Sequence, residues 1–224
     1  KISLYVAIIY NHPEQFSAWN VMIAIFLFSL QIYCDFSGYT DIARGAAKTM
    51  GYDLMINFNR PYFASNVREF WHRWHISLST WFRDYVYIPL GGSHGTALQT
   101  ITALLVVFAL SGFWHGAGWN FIIWGLLHGL FVIIALLFIK KEKPANTLLG
   151  IMVTNILVAY TFVFFRTESV GKAIKIIGES FHFSSPKAFQ FGIRSYYGEP
   201  GIGNISMAVL LFYTVFMFFY EHKT

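Results

Sequence analysis

Charge is what this sequence has least of. Only 12% of its 224 residues are Asp, Glu, Lys or Arg, against roughly 25% in an average soluble domain. So little charge cannot cover a water-facing surface, which excludes a soluble globule. The same figures exclude a disordered segment and a basic nucleic-acid-binding arm. A single cysteine, Cys34, allows no internal disulfide and excludes a disulfide scaffold. There is no initiator Met and no signal-peptide cleavage pattern, so the chain reads as the C-terminal portion of something longer, beginning inside a helix. Several catalytic motifs are missing too. No G-x-S-x-G marks a serine nucleophile, no HExxH or Cys cluster marks zinc, and no Lys-Ser/Thr ends a P-loop. Apolar residues, by contrast, make up 56% and aromatics 20%. The balance of 16 Lys and Arg against 11 Asp and Glu is modest, and in a membrane protein the placement of charge matters more than its sum.

A transmembrane helix needs about 20 mostly apolar residues. Residues 18–33 are a slightly short candidate, residues 97–113 a stronger one, and residues 119–139 the best, apolar apart from Asn120 and His128. Residues 147–165 and 205–220 complete the set, while residues 2–10 are apolar but too short. The expected class is all-α: a polytopic transmembrane helical protein forming a single membrane domain over residues 1–224.

Residues 35–95 differ, being too polar to span and too aromatic for a solvated loop. Arg44, Lys48, Arg60, Arg68, Arg73 and Arg83 alternate there with Trp71, Trp74 and Trp81. Such helices lie in the membrane interface or dip into it. Ser37 is expected to cap a helix running to about Met50, with Asp41 in its first turn, Asp35 outside it and Gly51 ending it. Ser65 or Asn66 should cap the next helix, with Glu69 in capping-box spacing. Pro89, Gly91 and Gly92 mark the far end, and the run from Gly91 to Gly95 reads as a turn. Lys140, Lys141 and Lys143, with the six earlier cations, put both ends of the 97–139 hairpin on the cytoplasmic side. Residues 166–203 carry five Lys and Arg against three Glu. That is consistent with a long translocated loop, or with a re-entrant 147–165 segment.

Two histidine-centred strings carry the candidate chemistry: REFWHRWHISLSTWFRDYVYIPLGG at 68–92 and SGFWHGAGWNFIIWGLLHG at 111–129. Ionisable residues within a membrane are costly and functional by default, and imidazole titrates nearest neutrality. His115 sits between two apolar helices in Trp114-His115-Gly116, where Gly116 and Gly118 clear one side for a substrate. From spacing alone, a catalytic histidine and a helix-end histidine satisfied by a carbonyl fit equally. His75 suits orientation of a substrate, and Arg68, Arg73 and Arg83 suit phosphate. Composition favours an interfacial helix with snorkelling arginines there. His72 and His75, three apart, could face one ligand on a helix, but no third metal ligand follows. Gly125-x-x-x-Gly129 should let a neighbouring helix pack closely, with His128 structural beside that seam.

These strings closely resemble signature blocks of the membrane-bound O-acyltransferase family. The nearest branch is the bacterial alginate O-acetyltransferase type, related to the D-alanyl transfer protein of teichoic acid modification. YCDFSGYTDIARGAAKTMGYDLMINFNRPY at 33–62 resembles the preceding block, and the likeness continues more weakly through VFFRTES at 163–169. The resemblance implies a polytopic fold with a tunnel across the membrane, His115 as the essential histidine and His75 as the second signature histidine. His72 stands where relatives commonly carry Arg, and the family's N-terminal helices are not part of this sequence.

The expected activity is transfer of an acyl group, foremost acetyl, from a cytoplasmic thioester to a hydroxyl across a bacterial inner membrane. The donor would be acetyl-CoA or an acyl carrier thioester, with no bound cofactor or metal. The acceptor would be an exopolysaccharide such as alginate, or a periplasmic or extracellular polysaccharide-modification protein. His115 and His75 are the expected catalytic residues, with Arg73, Arg83, Trp114 and Asn120 contacting substrate. The lipid bilayer is an expected partner and nucleic acid is not. The alternatives are D-alanyl transfer to teichoic acid and a non-catalytic channel subunit with a histidine proton path.

Overall fold

A computed structural model of the chain describes residues 2–138 and 148–183. The expected span at 205–220 and the lysines at 140, 141 and 143 lie outside the described residues. The described residues are helical, without a strand: α1 (Ile2–Asn11), α2 (Ala18–Thr49), α3 (Val67–Arg73), α4 (Ile76–Phe82), α5 (Ala97–His115), α6 (Trp119–Phe138), α7 (Leu148–Arg166) and α8 (Val170–Ser180). Four of them, α2, α5, α6 and α7, are long and apolar enough to cross a membrane. By contacts the described chain falls into two compact units, residues 2–34 with 171–183, and residues 35–170.

In the first unit, Tyr5, Val6 and Ile9 of α1 are wholly buried. Asn20 donates from Nδ2 to the Tyr5 hydroxyl at 3.1 Å and accepts from the Ser17 hydroxyl at 2.7 Å. Lys175 of α8 pairs with Glu14 at 2.8 Å.

One boundary differs from the sequence expectation. No helix starts at Ser37, because α2 runs unbroken from Ala18 to Thr49. A capping side chain stabilises a helix by satisfying orphan N–H donors. Here the upstream turns of α2 already supply carbonyls to those donors, so Ser37 has nothing to cap. Its own carbonyl accepts instead from the Thr40 hydroxyl at 2.9 Å. Asp35 therefore lies inside the helix, and Asp41 pairs with Arg44 one turn on, at 3.5 Å. The far end is as expected. Gly51, at φ +86°, donates to Lys48 while Tyr52 donates to Ala47, the 5→2 and 6→1 bonds of a left-handed helix terminus.

The second unit is built on the α5–α6 hairpin. Thr96 and Gln99 form a reciprocal capping box that starts α5. The glycines then set how closely the two helices meet. A Cβ on Gly125 would overlap the carbonyl oxygen of Phe108, and one on Gly112 the carbonyl oxygen of Phe121. Backbone thus meets backbone along the seam. Val67 of α3, Phe108 and Val132 form a buried cluster against which Trp71, Leu104, Phe131 and Leu157 pack. Asn155 of α7 donates to the carbonyl of Tyr62 at 2.8 Å. Leu98, Leu110, Leu126, Leu130, Ile134, Leu149 and Val153 stay exposed on the outer faces, as helices bathed in lipid require.

Candidate active site

Asn66 caps α3, accepting from the Glu69 N–H at 2.9 Å. The Glu69 carboxylate reaches back to the N–H and hydroxyl of Ser65, each at 2.8 Å, and holds the Arg73 guanidinium. Burial alone would raise the Glu69 carboxyl, but Ser65 and Arg73 outweigh it and keep it below the usual carboxylate range.

The helix then breaks. Trp74 turns extended and His75 adopts a left-handed backbone, φ 45° and ψ 53°. A histidine there carries on the order of 1–3 kcal/mol of strain unless its surroundings over-determine it. The strand-like stretch at 57–59 does that. Asn59 donates to the Arg73 carbonyl at 2.9 Å, and Ile76 donates to the Asn57 carbonyl at 3.0 Å. Beyond the break, the Asn57 side-chain oxygen accepts from the Ser77 N–H at 3.0 Å and the Ser77 hydroxyl at 2.7 Å. His72 and His75 consequently do not share a helix face, contrary to what their spacing suggested.

The half-buried His75 ring stands edge-on to Phe36 at 4.7 Å and to Trp114 at 6.3 Å. Trp114 also touches His115 at 4.8 Å and bridges the two imidazoles. Burial, with His115 nearby, pushes the His75 pKa down to about 4. His115 ends α5, half-buried, and stands edge-on to Trp124 at 5.2 Å and to Phe165 at 5.0 Å. Within the described residues, neither of its ring nitrogens has a hydrogen-bond partner.

His128 is the opposite case. It is 0% exposed, its Nδ1 accepts from the Trp71 indole N–H at 3.2 Å, and its Nε2 lies 2.8 Å from the Thr161 hydroxyl. Thr161 donates its own hydrogen to the Val158 carbonyl at 2.8 Å. Nε2 must therefore carry the imidazole hydrogen, and both nitrogens are engaged.

The remaining candidates separate by partner. Arg73 donates to Glu69 and to the Arg60 carbonyl, so it braces the loop rather than facing open space. Arg83 pairs with Asp84 at 2.7 Å and lines a cavity of about 750 Å³ together with Arg68 and His72. Leu104, Phe108 and Val132 form the apolar part of its wall. Ser111 also lines it, one helical turn before His115, but neither His115 nor His75 does. Trp114 is 60% exposed. Asn120 is buried and donates to the carbonyls of Phe164 and Thr167 at 3.3 and 2.8 Å, tying α6 to the end of α7. The room expected beside Gly116 and Gly118 is also filled. A Cβ on Gly116 would meet the Phe121 ring, and one on Gly118 the Asn120 amide. Among the described residues no three His, Cys, Asp or Glu side chains gather as a metal site would need. Sequence reasoning missed Asn57, Phe36, Trp124 and Phe165. All four lie in the marked strings, Phe36 and Asn57 at 33–62, Trp124 at 111–129 and Phe165 at 163–169, but no spacing or residue type singled them out there.

One family model and three relatives match the chain that carries this site. The family model described as MBOAT, membrane-bound O-acyltransferase family, matches residues 7–169. The "Probable alginate O-acetylase AlgI" of Azotobacter vinelandii is 42% identical over 175 residues, 77% of this chain and 34% of that protein. The "Peptidoglycan O-acetyltransferase" of Helicobacter pylori is 40% identical over 164 residues, 71% of this chain and 31% of that protein. The "Teichoic acid D-alanyltransferase" of Bacillus subtilis is 36% identical over 154 residues, 62% of this chain and 39% of that protein. The chain thus spans between about three and four tenths of the length of these relatives.

Proposed function

The chain belongs to the membrane-bound O-acyltransferase family, in its alginate O-acetylase-like branch, and on that premise we propose that the whole protein transfers an acyl group, foremost acetyl, across a bacterial inner membrane. The donor is a cytoplasmic thioester, acetyl-CoA or an acyl carrier. The acceptor is a hydroxyl of an exopolysaccharide, or of a periplasmic or extracellular partner that passes the group on. The observation that carries this reading is His115, an imidazole with both nitrogens unengaged among the described residues, in an aromatic cage shared with His75.

His115 acts as general base. It takes the hydroxyl proton as the oxygen attacks the thioester carbonyl, and an ester C–O bond forms. The C–S bond breaks, and the departing thiolate recovers the proton from the imidazolium. Such base catalysis is typically worth 10²- to 10⁴-fold. His75 orients the acceptor or stabilises developing charge. Arg68 and Arg83, which line the cavity, are better placed to hold donor phosphates than Arg73, which does not. The apolar wall beyond them suits a thioester arm. A D-alanyl donor is the second reading, supported by the teichoic acid D-alanyltransferase relative.

Replacing His115 with Ala in the full-length protein should lower polymer O-acetylation by at least 10²-fold at constant membrane level. Unchanged acetylation would remove the general-base assignment. Transfer assays with labelled acetyl and D-alanyl donors separate the two acyl groups.

A further inference from the structure

We propose that Asn57 is a positioning residue for His75, acting through the Ser77 hydroxyl to fix which imidazole nitrogen carries the hydrogen. The inference rests on His75 working beside His115. Two contacts on a short path carry it. The Ser77 hydroxyl oxygen lies 2.7 Å from the Asn57 side-chain oxygen, and that oxygen can only accept. The single hydroxyl hydrogen of Ser77 is thereby committed to Asn57. What Ser77 then offers to the His75 Nδ1, 3.5 Å away at the long end of hydrogen bonding, is a lone pair. Nδ1 is therefore the nitrogen that carries hydrogen, and Nε2 keeps its lone pair. An uncharged imidazole has one acceptor nitrogen, and the atom holding it decides what the ring can do.

The backbone of the same loop acts together with the side chain. Ile76 donates to the Asn57 carbonyl, and Ser77 donates its N–H to the Asn57 side chain. Asn57 thus grips both residues that follow the left-handed His75. Phe36, which stands edge-on to the His75 ring at 4.7 Å, is met edge-on in turn by Phe58 at 5.0 Å. Asn57 touches no reacting atom. It sets the tautomer and tilt of an imidazole that does.

The test uses full-length enzyme carrying Asn57→Leu, Asn57→Asp, Ser77→Ala or both Asn57→Leu and Ser77→Ala, with kcat and KM measured per folded molecule. Asn57→Leu should lower kcat about tenfold and leave the acceptor KM within about twofold. Asn57→Asp, which keeps an accepting oxygen, should restore most of that loss. Ser77→Ala should match Asn57→Leu, and the double variant should be no worse than either single one, as for two members of one relay. Multiplying losses, or an Asn57→Asp enzyme as slow as Asn57→Leu, would overturn the relay. So would an Asn57→Leu enzyme with wild-type kcat, whatever its yield. His115→Ala run alongside separates the two ideas. If it stays active, the proposed chemistry fails. If it is inactive while Asn57→Leu keeps wild-type kcat, only the positioning role fails.

Discussion

Three histidines in this chain show how the same side chain is put to different uses by its neighbours. His128 has both nitrogens engaged, by Trp71 and Thr161, while His115 has neither engaged within the described residues. That contrast weighs against a proton path from His115 to His128, because His128 sits between an indole N–H and a hydroxyl that ends on a backbone carbonyl, partners that pass no proton on. His75 is set by burial. Its folded pKa of about 4 lies below the ordinary 6.5. Between those values the unfolded chain binds more protons than the folded one, so this group's stabilisation is complete above about pH 6.5 and is lost as pH falls toward 4. Thermal melts of wild type and His75→Asn should accordingly converge on acidification through that interval, and parallel curves would contradict the burial argument. The sequence marked His115 and His75 through their surrounding strings. Asn57 lay in the 33–62 string as well, but nothing set it apart from its neighbours until the chain folds back and brings residues 57–59 beside 73–76.

At the scale of elements, periodicity and caps were informative where local chemistry decides the outcome. The α5 and α6 spans appear within two residues of their expected ends, and Asn66 and Glu69 start α3 as their spacing suggested. Ser37 misled because capping is a property of a helix end, and a side chain cannot announce whether the helix has already begun. Arg73 and Asn120 bond to the scaffold, and a sequence does not say whether a polar residue beside a site faces the site or its frame. The glycine seam was legible because close approach of two helices requires small residues. Gly125→Val should force α5 and α6 apart at the Phe108 carbonyl and cost about 1–3 kcal/mol, as overpacking usually does. Equilibrium unfolding in detergent would measure it, and an unchanged midpoint would show that the seam can relax. The same substitution at Gly171, which has open space around it, serves as the control.

For the molecule as a whole, the low charge content and the exposed leucines of α5–α7 express one fact, a surface made for hydrocarbon. The unbroken α2 adds a length to that chemistry. Thirty-two residues make a rod about 48 Å long, while a bilayer offers roughly 30 Å of hydrocarbon. Asp41, Arg44 and Lys48 occupy the last three turns of the rod, and Phe36, which abuts His75, stands just before them. Phe36 and the polar tip thus share one spindle, the last turns of α2. Thickening the lipid film draws that spindle inward against its polar tip. Turnover by full-length enzyme in phosphatidylcholine vesicles of graded acyl length should therefore peak at one thickness and decline on either side. A flat profile would mean that the aromatic collar around His75 is indifferent to how deeply α2 sits.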